Sequence, residues 1–171
     1  GLRHHNLYLD PFWDEHFKQI FDRPAWPGSP SFYISCPSKT DPTVAPAGME
    51  NIFVLVPVAP GLEDNEEIQE KYYQKIMAHL EKLVGEELRS HIKVKRIYAH
   101  RDFSADYHAF KGTALGMAHT LFQTAVFRPA HRNRRVNNLY YTGNYTHPGI
   151  GVPMVVIASQ VVNDLIRKDH A

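Results

Sequence analysis

The chain has 171 residues, of which 43% are hydrophobic and 22% are charged, and its formal net charge is +1 at pH 7. This length suffices for one domain with a real core, and the composition is ordinary for a globular protein. The near-neutral charge gives no support for a nucleic-acid partner, and no apolar run approaches the roughly 18 residues of a membrane span.

The first third of the chain alternates helix and strand patterns. Residues 11–21 place apolar side chains at helical spacing, and the prolines and glycine of residues 22–31 indicate a loop. Alternation over residues 31–36 predicts a half-buried strand, which ends at the single cysteine, Cys36. A lone cysteine makes a reducing, cytoplasmic setting the expectation. The dense aliphatic run over residues 52–58 predicts a central strand.

The clearest helix covers residues 65–84, where an apolar stripe recurs every three or four positions. Asp64 is the expected N-cap with Glu67 as its capping-box partner, and Gly85 supplies the C-terminal stop. We interpret this helix as core-facing, with membrane docking as the alternative. The alternation over residues 92–98 predicts a further strand with its lysines toward water.

The remaining patterns complete an α+β order of elements. Residues 103–127 predict a short helix, a turn and another helix, whereas the basic residues 128–137 lack periodicity and predict a solvated loop. Residues 139–142 predict a strand. Residues 153–167 predict the last helix, with its apolar stripe inward and basic residues at its C-terminal end.

The most informative stretch joins these last two elements, from Asn138 to Pro153. It predicts a strand, a glycine turn and a helix whose N-terminus is left open. Such an N-terminus carries unpaired N–H groups and a partial positive charge, which attract an anionic or electron-rich ligand. Pro153 suits the first helical turn, because its missing N–H is not needed there.

Several motifs, in matching order, carry a family resemblance. The core Thr146-His147-Pro148-Gly149-x-Gly151-Val152-Pro153 resembles the C-terminal FAD-contacting signature of bacterial-type phytoene desaturases and related carotenoid oxidoreductases. Departures from the family pattern are Asn144, Tyr145 and Ile150, which stand where smaller residues are usual. The other similar segments are His4-His5-Asn6, Pro37-Ser38-Lys39-Thr40-Asp41-Pro42, Ala45-Pro46-Ala47-Gly48-Met49, Val54-Leu55-Val56-Pro57-Val58, Asp102-Phe103, Phe110-Lys111-Gly112-Thr113-Ala114 and Phe127-Arg128-Pro129.

This resemblance implies two domains. Residues 1–125 would form part of a substrate-binding sheet domain covered by helices. Residues 126–171 would form the C-terminal strand and helix of a Rossmann-like FAD-binding domain. The resembling enzymes begin with a GxGxxG turn that binds the ADP part of FAD, and no complete GxGxxG occurs in this chain. We therefore expect a C-terminal portion whose partner is the N-terminal FAD-binding half.

The resemblance also implies the site residues. The flavin would lie near the glycine turn, with the helix N-terminus stabilising negative charge on its N1/O2 edge. Four aromatic residues, Tyr107, Phe110, Phe122 and Phe127, fall where the family places its apolar substrate tunnel, although ordinary core packing is the simpler interpretation of each. The expected cofactor contacts are Gly143, Asn144, His147, Pro148, Gly149, Ile150, Gly151, Val152 and Pro153.

The implied reaction is the dehydrogenation of a C–C bond in an isoprenoid or carotenoid, with hydride passing to flavin N5. Catalytic residues stay unknown, and the chain alone is expected to be inactive and not to retain FAD. The alternatives are a carotenoid or retinoid isomerase or saturase, and a non-catalytic binding or assembly module that forms homo-oligomers. Peripheral membrane contact is a further expectation, because the substrates of resembling enzymes dissolve in lipid.

Other polar groups receive simpler interpretations. No metal site is expected, because the 11 histidines show no usual ligand spacing and adjacent His4 and His5 would point to opposite faces of a strand. Asp102 and Asp106 are expected to be capping or solvated residues. For the basic residues 128–135, the alternatives to a solvated loop are pairing with the FAD pyrophosphate and contact with anionic lipid headgroups.

Overall fold

The computed structural model describes residues 1–171, which form two compact units, Gly1–Gly112 and Thr113–Ala171. The structure divides the chain between residues 112 and 113. The expected domain boundary between residues 125 and 126 stays a prediction. The strands are β1 (His5–Tyr8), β2 (Phe32–Ser35) and β3 (Phe53–Leu55), and the α-helices are α1 (Trp13–Phe21), α2 (Glu66–Val84), α3 (His100–Tyr107) and α4 (Val152–Asp169). Single 3-10 turns lie at Pro37–Lys39, Pro42–Val44, Arg89–His91, Phe110–Gly112, Leu121–Gln123 and Ala125–Phe127. This α+β content agrees with the predicted class.

The first unit is built on an antiparallel sheet with the strand order β1-β2-β3. One face of the sheet packs against α2 and forms the core, which contains Phe32, Ile34, Ile76, Met77 and Leu80.

The strand predicted at residues 31–36 is confirmed, with its alternate side chains buried as expected. The central position predicted for residues 52–58 is wrong: β3 is an edge strand, and its Phe53 and Leu55 are about half exposed. A strand with apolar residues on both faces usually lies in the centre of a sheet, which is why the run predicted a central strand. In β3 only one of these two faces packs against the core.

The prediction for α2 is confirmed in extent and in its stop at Gly85, which adopts the left-handed conformation. Its N-cap, however, is Asn65 rather than Asp64, because the Asn65 side chain accepts the Ile68 N–H bond at 2.9 Å. The Asp64 carboxylate instead accepts hydrogen bonds from Gln69 and from the Arg101 backbone.

Residues 92–98 do not form the predicted strand. Their side chains are held by other partners, since Lys95 pairs with Glu70 at 2.6 Å and the Tyr98 hydroxyl donates to Asp106 at 2.6 Å. Val94 on the supposed inner face is 89% exposed. The alternation therefore belongs to an irregular segment that lacks a strand partner and is held by side-chain contacts.

Two adjacent histidines depart from the predicted geometry. His4 precedes β1, so the period-2 argument does not apply to it, and its ring centroid lies 4.1 Å from that of His5. Throughout the chain, no group of three or more His, Cys, Asp or Glu side chains could hold a metal ion.

The second unit contains one long helix, α4, which confirms the predicted last helix. The other helix predicted within residues 103–127 is absent, and 3-10 turns take its place. The strand predicted at residues 139–142 is reduced to a single antiparallel bridge between Arg132 and Tyr140. Both patterns contained suitable residues but lacked the neighbouring strands or apolar layer that would have stabilised a regular element. None of the helices is both long and apolar enough to cross a membrane.

Candidate functional site: the glycine turn before α4

The candidate site is the turn over residues 143–151, together with the start of α4. Gly143, Gly149 and Gly151 have φ angles of 112°, 125° and 115°, values that L side chains rarely adopt. α4 begins directly after Gly151, which offers no capping side chain, and Pro153 lies in the first helical turn. The predicted open helix N-terminus is therefore confirmed as a geometric feature.

The side chain of Arg128 holds this turn by hydrogen bonds to its backbone. The sequence had predicted instead that Arg128 lies in a solvated basic loop. Arg128 as a whole is only 4% exposed. It donates to the backbone oxygens of Gln123 at 2.9 Å, Asn144 at 2.7 Å and Thr146 at 3.2 Å. One planar cation thus pairs with two carbonyls of the turn and with the Gln123 carbonyl, which lies outside the turn. The signal that could have revealed this role is its position between aromatic and proline residues, apart from the other arginines of the run.

Buried groups near Arg128 complete the support of the turn. The Thr146 hydroxyl donates to the Gly143 carbonyl at 2.9 Å and is buried. A Cβ atom on Gly149 would lie 3.2 Å from His119 and 3.3 Å from Arg128. Gly149 therefore permits close packing within the protein, and its predicted contact with the cofactor stays a prediction.

The residues at the helix end have a different environment. A Cβ atom on Gly151 would have no neighbour closer than Met154 Cγ at 3.8 Å, and Val152 is 78% exposed. The backbone here is open to approach by a flat ligand. The carbonyl edge of a flavin ring fits this opening, because it is electron-rich and the helix end presents N–H groups without side-chain partners.

The remaining predicted contact residues are spread around the turn. Asn144 contributes its carbonyl to Arg128, and the exposed His147 donates through Nδ1 to the Ala125 oxygen at 3.3 Å. Pro148 and Ile150 are half-buried, and Pro153 is exposed. The predicted contact residues therefore lie in one turn but differ in burial. Gly149 is packed inside the protein, whereas Gly151, Val152 and Pro153 are exposed.

The rest of the basic run has mixed environments. Arg132 pairs with Asp169, which also accepts a hydrogen bond from the Tyr140 hydroxyl at 2.6 Å. This hydrogen bond is the main cause of a lowered pKa of Asp169, and the nearby Arg132 charge contributes less. The same bond raises the pKa of Tyr140. Arg134 and Arg135 are exposed, as the solvated-loop interpretation expected.

The four aromatic residues predicted to line a substrate site are not core residues. They are between 56% and 75% exposed, so the simpler interpretation of core packing is wrong for each of them. Phe122 and Phe127 lie together in the second unit with ring centroids 5.7 Å apart. Tyr107 and Phe110 belong to the first unit.

Comparison with known families shows the class of protein to which this chain belongs. Residues 5–164 match the family described as flavin containing amine oxidoreductase. The chain belongs to this family.

Comparison with characterised proteins identifies the branch. The chain is 49% identical over 170 residues to a carotenoid 3,4-desaturase of Haloarcula japonica, covering 99% of this chain and 34% of that protein. It is 34% identical to a lycopene-forming phytoene desaturase of Paracoccus sp., with 99% and 34% covered, and to a 4,4'-diapophytoene desaturase of Staphylococcus aureus, with 98% and 35% covered. The predicted resemblance to carotenoid desaturases is confirmed. The chain spans about a third of the length of these relatives.

Proposed function

We propose that this chain is part of an FAD-dependent enzyme that dehydrogenates C–C bonds of a carotenoid or related isoprenoid. The observation that carries the proposal is the open N-terminus of α4 beyond Gly151, in a chain that belongs to a flavin-containing family. The identity of 49% to a carotenoid 3,4-desaturase supports the substrate class.

Within this proposal, some residues at the turn contact the flavin and others fix the backbone of the turn. Gly151, Val152 and Pro153 would hold the edge of the flavin ring, and the helix N-terminus would favour added negative charge there. Arg128, Thr146 and Gly149 would keep the turn rigid, because their packing and hydrogen bonds fix its backbone. When bound, the flavin supplies the capacity to accept a hydride.

The position of Val152 allows a test that does not disturb the strained glycines. Its side chain is exposed at the start of α4, so Val152→Glu and Val152→Gln should both fold. A carboxylate there stabilises a free helix by about 0.3–1 kcal/mol. In the flavoprotein the same charge would repel the electron-rich edge of the flavin. The full-length protein containing this chain should therefore show weaker FAD binding and a lower flavin reduction potential with Val152→Glu.

The matched Val152→Gln variant should retain FAD binding and the reduction potential, since it has nearly the same size without the charge. Equal potentials for the two variants would show that α4 does not face the flavin. Product analysis with saturated and partly unsaturated isoprenoids then separates desaturation from isomerisation and saturation.

A further inference from the structure

Helix α1 turns polar side chains toward the protein. The ring of His16 is buried, its Nε2–H donates to the Pro57 oxygen at 2.7 Å, and its Nδ1 accepts the Ser31 N–H bond at 3.0 Å. The Gln19 side chain accepts a hydrogen bond from the Gly28 backbone at 3.1 Å. Hydrogen bonds thus hold the inward side of this helix, whereas an ordinary surface helix packs on its protein through an apolar stripe.

The outward side of α1 is aromatic. Trp13, Phe17 and Phe21 follow one another at intervals of four residues, and consecutive ring centroids lie 5.3 Å and 6.1 Å apart. We call these three residues the α1 stripe. They are between 50% and 64% exposed, and Leu9 and Phe12, just before the helix, are 70% and 74% exposed. Such a concentration of exposed apolar side chains on one short element usually marks an interaction surface.

We propose that the α1 stripe docks the protein on a lipid bilayer, with its rings inserted at the boundary between headgroups and acyl chains. Tryptophan and phenylalanine on one side of an amphipathic helix favour this boundary. The sequence offered α2 as the alternative docking helix, but α2 uses Ile76, Met77 and Leu80 for the core. The structure therefore favours α1 as the membrane-facing helix.

The size and charge of this surface favour a lipid bilayer over a second protein chain. At about 200 Å² for each fully exposed large side chain, the α1 stripe with Leu9 and Phe12 offers roughly 600 Å². A stable protein interface usually buries about 800 Å² on each partner. Residues 10–23 contain four carboxylates and two cations, so electrostatic attraction to anionic lipid cannot drive the docking. Insertion of the rings has to supply the attraction, which predicts binding to zwitterionic lipid.

Vesicle partitioning of the full-length protein tests this proposal. Phe17→Ser/Phe21→Ser should lower the partition coefficient on phosphatidylcholine vesicles by about 10²-fold, since an inserted ring contributes a factor of about ten or more. The control Leu83→Ser/Val94→Ser also removes two exposed apolar side chains of the first unit and should leave partitioning unchanged. Equal partitioning of the phenylalanine variant and the parent overturns the proposal, as does binding that requires anionic lipid.

Tryptophan fluorescence then identifies what covers the α1 stripe. The emission lost in Trp13→Phe belongs to Trp13, and vesicles with brominated acyl chains should quench this share of the parent emission. A dimer in lipid-free solution that Phe17→Ser/Phe21→Ser dissociates would identify a second copy. Protection of Trp13 from iodide in lipid-free solution would identify another part of the longer protein. Either result, or an unquenched Trp13 in vesicle-bound protein, overturns the proposal.

These experiments separate membrane docking from the proposed function, because neither partitioning nor bromine quenching requires flavin or turnover. A full-length protein that docks through the α1 stripe but binds no FAD would overturn the proposed function alone. A flavin-loaded desaturase that does not dock would overturn the role of the α1 stripe alone.

Discussion

Arg128 shows how a single residue can decide the conformation of the candidate site. Its buried guanidinium pairs with three backbone oxygens around the glycine turn. We expect Arg128→Ala to lower the free energy of unfolding by about 3 kcal/mol, because buried carbonyls would be left without donors. Arg128→Lys should recover only part of this loss, since an ammonium group cannot reproduce the planar fork.

Denaturant unfolding of the full-length protein measures this effect, with Arg134→Ala as a control on an exposed arginine of the same run. The control should change stability by less than about 0.5 kcal/mol. A loss for Arg128→Ala as small as that of the control would contradict the role of the buried guanidinium.

Gly112, in the first unit, lies too close to the His100 backbone to accept a larger side chain. A Cβ atom there would lie 2.4 Å from the His100 backbone oxygen, whereas at Gly48 nothing lies within 4 Å; both residues have positive φ. Gly48→Ala should therefore cost only the backbone term of about 1–2 kcal/mol. Gly112→Ala adds a steric clash and should cost at least about 2 kcal/mol more. Equal midpoints of thermal unfolding for the two variants would show that α3 can move away.

At the scale of elements, α2 is fixed to the segment that follows it through Glu81. Its carboxylate accepts hydrogen bonds from the Arg89 side chain and from the backbone N–H groups of Leu88 and Arg89. These bonds, with that of the Arg89 side chain foremost, lower the pKa of Glu81 from 4.5 to about 2. The stabilisation is therefore present above the unfolded-state pKa and is lost as pH falls through the folded-state value.

We expect Glu81→Gln to destabilise the protein at neutral pH. The difference from the parent should shrink below about pH 4.5 and disappear near pH 2. Thermal unfolding across this pH range measures the effect, and Glu86→Gln, at an exposed position after the helix, serves as the control. A difference that stays constant down to pH 2 would mean that the ion pair does not stabilise the folded state.

The elements that sequence patterns predicted correctly are those that local periodicity determines. Helices α2 and α4 have long apolar stripes and clear ends, and β2 has one apolar face. The strands predicted at residues 92–98 and 139–142 failed because a strand needs a partner, which local sequence does not specify. Likewise, the glycine spacing predicted the open start of α4, but nothing local indicated that Arg128 would be buried beneath it.

For the whole molecule, the main observation is how little apolar surface each unit buries. The first unit has a core under one face of its sheet, but the second buries only Ala158 among its hydrophobic residues. Exposed aromatic and aliphatic side chains occur in both units. Such surfaces usually contact another part of a protein, a partner or an apolar ligand.

The last prediction concerns flavin retention by the 171-residue chain alone. The chain contains the turn that would contact the flavin ring but no complete GxGxxG turn for the ADP part, where much of the FAD binding energy is expected. We expect the isolated chain, refolded with excess FAD and gel-filtered, to elute without stoichiometric flavin absorbance. The full-length protein treated in the same way should elute yellow. Stoichiometric flavin on the isolated chain would show instead that the turn and α4 supply most of the binding energy by themselves.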